Sequence, residues 1–247
     1  MVTAELRDLT VHIDTGQWSE TVLAAVNLTV PEGQMTALLG ESGCGKSMIA
    51  AALTGRLPAS AQITGQVHIN DAHVQDQRQW RQLRGHTIGL VPQSGATAFT
   101  AADPVGAQLL ALERSHQRWT VDRACAAARY PVEAFDLYPQ QHSSGQIQRA
   151  ALAAALLPEP DLLIADEPTA SLDTATAYEV WGTLREYADA GAAVLAITQE
   201  VPLLTAIGVA DRMVFMRDGR ITVAGPATEI PSLADPYVQG FFQEIGQ

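Results

Sequence analysis

Lys46 is the only lysine in a 247-residue chain that carries 15 basic residues. It stands in Gly40-Glu41-Ser42-Gly43-Cys44-Gly45-Lys46-Ser47, which fits GxxxxGK[ST] at every fixed position. Glycines in such a run let the backbone curl until its N–H groups converge on phosphate oxygens, and a helix that follows adds the positive end of its dipole. In that role Lys46 holds the β- and γ-phosphates of a nucleotide, and the Ser47 hydroxyl ligates Mg²⁺. Asp166-Glu167 supply the second half of such a site. They follow the apolar run Leu162 to Ala165, and at the C-terminal end of a buried parallel strand both carboxylates face the ligand crevice. Asp166 then serves Mg²⁺ or its water, and Glu167 polarises the water that attacks the γ-phosphate. Ser143-Ser144-Gly145-Gln146 has the spacing of a capping box, so it opens a helix whose N-terminus can face an anion; an ordinary N-cap satisfies the same four residues.

These groups need strands to carry them. Leu6 to Ile13, Ala25 to Val30 and Met35 to Leu39 have strand patterns, with Pro31-Glu32-Gly33 as a turn before the third. Lys46 to Leu57 is helical and is predicted to stop at Pro58. Short strands follow at Val67 to Ile69 and Thr87 to Val91, around a polar stretch from Asp71 to Arg84. Between Gln93 and Gln141 the β signal gives way to helical spacing at Val105 to Arg114 and Val121 to Arg129. After the helix from Gln146 to Leu157, a strand at Leu162 to Ala165, a helix at Thr174 to Ala190 and a strand at Ala193 to Thr198 alternate. A hairpin turned at Asp218-Gly219 follows them. The expected class is α/β.

Composition narrows the function. The 27 acids against 15 bases leave a net charge of −12, the wrong sign for a nucleic-acid partner. The longest aliphatic run, Ala150 to Leu157, is far short of the roughly 20 residues that span a bilayer. Glu5, Arg7 and Asp8 interrupt any apolar leader. Cys44 and Cys125 form neither a disulfide framework nor a CxxC pair. At a helix N-terminus the Cys44 thiol is expected to lean toward thiolate, with alkylation blocked by nucleotide. His68 and His73 flank Asp71 and read as solvated surface rather than a metal pair.

Taken in series, the chain resembles the ATPase subunits of ABC transporters. The motifs are Gly40 to Ser47, Gln93 after Leu90-Val91-Pro92, Ser143 to Gln146 with Gln148-Arg149, Leu162 to Glu167 with Pro168-Thr169, and Ser171-Leu172-Asp173. Leu83-Arg84-Gly85, Tyr138-Pro139 and Asp235-Pro236-Tyr237 resemble the peptide and nickel importers within that family. The resemblance implies a P-loop NTPase core with an N-terminal antiparallel β layer and an inserted helical subdomain. It divides the chain into 1–92 (core with phosphate loop), 93–157 (helical subdomain) and 158–247 (remaining core). It also implies ATP and Mg²⁺ as ligands, with Gln93 linking the metal and attacking water to the helical part. A second ATPase subunit would pair head to tail, so that Ser143, Ser144, Gly145, Gln146 and Asp173 meet the nucleotide held by the other. Two permease subunits, and indirectly a substrate-binding protein, would complete the assembly at the cytoplasmic face of the membrane.

Three positions depart from the family pattern. Ser144 stands where a glycine is usual, and its Cβ can cost close approach to phosphate. Gln199, in Ile197-Thr198-Gln199-Glu200, stands where a histidine is expected, and all six histidines lie at or before His142. Gln199 can donate a hydrogen bond to the γ-phosphate but carries no imidazolium charge. The adenine-stacking aromatic is missing near His12-Ile13, which leaves His12 or Trp18 as substitutes. These departures imply a heterodimer with a more regular partner, the alternative being a catalytically weak subunit that binds ATP for regulation. Other soluble P-loop ATPases of the same superfamily usually carry paired cassettes or long coiled-coil insertions, and neither stands out here.

Overall fold

The computed structural model describes residues 1–243. Two sheets and two apolar layers organise them. The first sheet is antiparallel, in the order β2 (Ser19–Pro31), β1 (Val2–Asp14), β4 (Ala61–Ile69), β5 (Ala72–His73). The second has the order β10 (Arg220–Pro226), β9 (Arg212–Arg217), β3 (Met35–Leu39), β8 (Ala193–Ile197), β7 (Leu162–Asp166), β6 (Ile88–Val91). Its strands are parallel from β9 to β6, and β10 closes one edge as the antiparallel arm of a hairpin.

Period-2 alternation divides the buried strands between two cores. Ala37, Leu39, Leu163, Ala165, Val194 and Ala196 face one apolar cluster. There they meet α3 (Val105–His116), α4 (Val121–Ala127), α5 (Ser144–Leu156) and α6 (Thr174–Asp189). Leu38, Leu162, Ile164, Leu195 and Ile197 face the other, against α1 (Lys46–Leu53) and the antiparallel sheet. Both faces of the parallel sheet are thus covered, which is why its strands read as unbroken apolar runs.

The strands β1 and β2 are each 13 residues long, well beyond the sequence expectation. Their pairing contains register shifts, and Asp8 and Ala25 take positive φ, so bulges interrupt the alternation that would have announced their length. The helix α1 ends at Leu53 and not at Pro58. Gly55 follows at φ 61°, and a Cβ there would lie 2.3 Å from the Trp80 ring, so the helix is stopped by a glycine that must turn beneath a tryptophan. The stretch expected to be merely polar contains α2 (Gln77–Leu83), started by a capping box between Asp76 and Gln79. Two further helices, α7 (Val201–Ile207) and α8 (Pro236–Gln243), complete the described fold. No helix among the described residues is long and apolar enough to cross a membrane.

Candidate functional site

Four parallel strands deliver the site to one edge of the sheet. Leu39 of β3 runs into Gly40, Val91 of β6 into the segment with Gln93, β7 ends on Asp166, and Ile197 of β8 precedes Gln199. The cavity they share has a volume of about 570 Å³. Its walls bring together Ser42, Gly43, Gly45, Lys46 and Ser47 with Gln93, Asp166, Glu167 and Gln199. Residues as far apart in sequence as Ser42 and Gln199 therefore meet as the strand order requires.

The phosphate-loop geometry depends on positive φ at Gly40, Gly43 and Gly45. At Gly40 no other residue fits, because a Cβ would lie 2.3 Å from the Met216 carbonyl oxygen. Gly45 serves as the N-cap of α1 and supplies no side-chain cap, so the helix opens on backbone N–H groups suited to an anion. Lys46 is buried, and its Nζ donates to the carbonyls of Gly40 and Glu41, both at 2.8 Å. The structure does not bring Gly40, Glu41 and Cys44 to the cavity wall. Gly40 backs onto β9, the Glu41 N–H points to Tyr237, and Cys44 lies buried under the loop. Burial also pushes the Cys44 thiol above its ordinary value, more strongly than the Lys46 charge lowers it. The expected drift toward thiolate is therefore overturned.

Opposite Lys46, Asp166 and Glu167 are 6% and 7% exposed. Asp166 Oδ1 and Glu167 Oε2 are buried without a hydrogen-bond partner. Burial raises both carboxyls above their ordinary range. For Asp166 a hydrogen bond from Ser47 and the Lys46 charge oppose that shift. For Glu167 the Lys46 charge and a hydrogen bond from Thr198 oppose it, while Asp166 and Glu200 reinforce it. Glu167 also takes φ 49°, held there by its N–H donating to the Ile197 carbonyl at 2.8 Å. A strained, desolvated acid at a strand end is a feature of functional sites. The hydroxyl of Ser47 and the orphaned carboxylate oxygens form an all-oxygen donor set that fits a hard divalent cation such as Mg²⁺.

Around this centre the remaining expected residues separate. Trp18, 47% exposed at the tip between β1 and β2, lines the cavity. His12 instead bonds Thr21 and Ser19 along the strand pair. Ser143 caps α5, its Oγ accepting from the Gln146 N–H while the Gln146 side chain accepts from the Ser143 N–H. Ser143, Ser144, Gly145 and Gln146 are outside the cavity, but Gly145 lies against the loop of Ser171 and Leu172. Asp173 caps α6 by accepting from Thr176, and those hydrogen bonds hold its carboxyl below the ordinary value. His68 is buried and stacked on His73 at 5.2 Å, which corrects the expectation of solvated rings. Among the described residues no cluster of three or more His, Cys, Asp or Glu could hold a metal ion.

Three further residues, to which the sequence motifs assign no role, also shape the site. The buried Gln148 donates from Nε2 to the Pro92 carbonyl at 3.0 Å, and Gly95 presses on the backbone of α5. Together they fix the segment that carries Gln93. Tyr237 reaches the phosphate loop from 196 residues away. Gln148 lies next to the helix start in a visible motif, whereas nothing local to Tyr237 announces its contact.

The chain belongs to the ABC transporter family, whose characteristic sequence matches residues 23–170, and it is an ABC ATPase domain. The oligopeptide transport ATP-binding protein OppD of Mycobacterium tuberculosis is 32% identical over 92% of this chain, which spans only 39% of that protein's length. A probable peptide ABC transporter ATP-binding protein of Sinorhizobium fredii, y4tR, is 30% identical, covering 98% of this chain and 76% of its own. The metal-staphylopine import system ATP-binding protein CntD of Staphylococcus aureus is 29% identical over 85% of this chain and 82% of its own. Among solved structures, the dimeric cassette MJ0796 bound to ADP and phosphate superposes with a TM-score of 0.81 at 22% identity, covering 90% of this chain and 98% of that one. The fold is thus that of the ATP-binding cassettes.

Proposed function

We propose that the chain is the ATP-binding and ATP-hydrolysing subunit of a membrane import complex whose cargo is a short peptide, nickel or a metal chelate. The observation that carries the hydrolytic reading is the meeting of Lys46, Asp166 and Glu167 in one cavity with an uncapped helix start. The names of the peptide and metal-staphylopine relatives support the cargo class.

Ser42 to Ser47 would cradle the phosphates, with Lys46, held on its two carbonyls, turning its remaining N–H toward the β- and γ-phosphates. Gly40, Glu41 and Cys44 would shape that cradle from behind, and Trp18 would offer its exposed ring to the adenine. Ser47, Asp166 and Gln93 are the residues that would hold Mg²⁺, which supplies charge neutralisation at the phosphates when bound. Glu167, desolvated and with its carboxyl raised above the ordinary value, is suited to accept a proton from the attacking water. Gln199 would donate to the γ-phosphate from its exposed position at the cavity wall.

Ser143, Ser144, Gly145, Gln146 and Asp173 would face the nucleotide of a second ATPase subunit. Their place outside the cavity of their own chain supports that reading. A heterodimer suits Ser144 and Gln199, since a more regular partner would compensate for both. The helical elements between 93 and 157 would dock on two permease subunits at the cytoplasmic face of the membrane, between the core parts 1–92 and 158–247. The test is ATP turnover of the purified chain, of the chain with a partner cassette, and of the membrane assembly, each with Glu167→Gln alongside. Turnover confined to the assembly and reduced about 100-fold or more by the substitution is expected. Undiminished turnover in Glu167→Gln would assign hydrolysis to the partner and leave this chain a regulatory binder.

A further inference from the structure

We propose that Tyr237 is a positioning residue for Lys46, acting through the peptide unit between Gly40 and Glu41. The inference rests on the reading of Gly40 to Ser47 as the phosphate site. The Glu41 N–H donates to the Tyr237 hydroxyl at 3.3 Å, and that hydroxyl donates to the Met216 carbonyl at 2.9 Å. The Gly40 carbonyl accepts from Lys46 Nζ at 2.8 Å. That carbonyl and the Glu41 N–H belong to one planar peptide, so fixing one end fixes the direction of the other.

The tyrosine is itself held firmly. Asp235 accepts from the N–H groups of Tyr237 and Val238 and so starts α8. Phe241 packs edge-on against the Tyr237 ring at 5.2 Å and against Phe215 of β9 at 5.3 Å. The Arg217 guanidinium lies 5.1 Å from the ring centre on another side. Burial raises the phenol above its ordinary value, so the proton given to Met216 stays on the oxygen at neutral pH. Met216 carries the same carbonyl oxygen against which Gly40 is pressed. One phenol oxygen therefore ties the last residues of β9 to the first peptide of the phosphate loop. Without it the Glu41 N–H loses its acceptor, the peptide is free to rotate, and the Gly40 carbonyl no longer holds the ammonium at one place.

Tyr237→Phe removes one oxygen and keeps the ring contacts, whereas Phe242→Leu disturbs the packing on Phe215 and leaves the Tyr237 contacts in place. Both are purified beside the wild-type chain. Affinity for MgATP is read by displacement of trinitrophenyl-ATP, and Tm by scanning fluorimetry. Tyr237→Phe is expected to weaken ATP binding about five- to tenfold, the worth of one hydrogen bond. It is expected to melt within about 4 °C of wild type. Phe242→Leu is expected to show the opposite pattern, a lower Tm with unchanged affinity. Wild-type affinity in Tyr237→Phe, or a loss in both variants that follows Tm, overturns the positioning role alone. A wild-type chain that binds no ATP overturns the reading of the loop along with it.

Discussion

Glu167→Gln should make the nucleotide-free chain more stable while it removes hydrolysis. Glu167 is 7% exposed, its Oε2 has no hydrogen-bond partner, and its neighbour Asp166 is in the same condition. The nearest cation, Lys46, already donates to two carbonyls. A buried polar group left unsatisfied costs about 1–3 kcal/mol and a charged one more, and the amide keeps the shape while discarding the charge and its repulsion with Asp166 and Glu200. The φ of 49° is no worse for Gln than for Glu, so backbone strain cancels in the comparison. A gain of about 1–2 kcal/mol follows, or about 2–8 °C in Tm for a domain of this size.

The sign with pH follows from the raised carboxyl. Between its ordinary value of 4.5 and its higher folded value, the folded chain binds the proton more tightly than the unfolded one. That contribution to stability is present below the ordinary value and is lost as pH rises through the window above it. Scanning fluorimetry from about pH 5 to about pH 8 should therefore show Glu167→Gln pulling ahead of wild type as pH rises. Equal Tm values with parallel pH curves would mean that the folded chain compensates the carboxylate, and the reasoning would fall.

Cys44 should resist iodoacetamide at neutral pH with or without ATP, because burial raises its thiol, and mass spectrometry would follow the adduct. Rapid labelling that ATP blocks would restore the thiolate expectation. Gly55→Ala should cost about 2–4 kcal/mol by chemical denaturation, since it combines positive φ with a Cβ driven into Trp80. A cost under about 1 kcal/mol would show that Trp80 moves aside freely.

Local signals carried much of this architecture. Met35 to Leu39 is recognisable because an unbroken apolar run ends at a glycine, and the start of α5 because Ser143 and Gln146 have capping-box spacing. The strand before Glu167 is legible as a similar unbroken apolar run, here ended by acids. The antiparallel layer was harder, because bulges at residues such as Asp8 break alternation without leaving a turn signature. The helix α2 was overlooked although Asp76 and Gln79 have capping-box spacing, since its single buried side chain, Trp80, gives no periodic stripe. Asp166, Glu167, Gln93 and Gln199 stand at or just past the ends of strands, Lys46 opens the helix that follows one, and topology brings them to one cavity. Choosing Trp18 over His12 required knowing which of two neighbours on a hairpin turns into the cavity. Tyr237 depends on a contact between distant parts of the chain, and no window of sequence contains it.

The helix α5 is also a mechanical element. Its 13 residues make a rod of about 20 Å with Ser143 at one tip. Near that tip, Gln148 grips the strap carrying Gln93 through the Pro92 carbonyl, and Gly95 leaves no clearance between strap and rod. Strap and rod are thereby joined at one point, and the same joined unit borders the cavity through Gln93 and presents Ser143 and Gly145 at its tip.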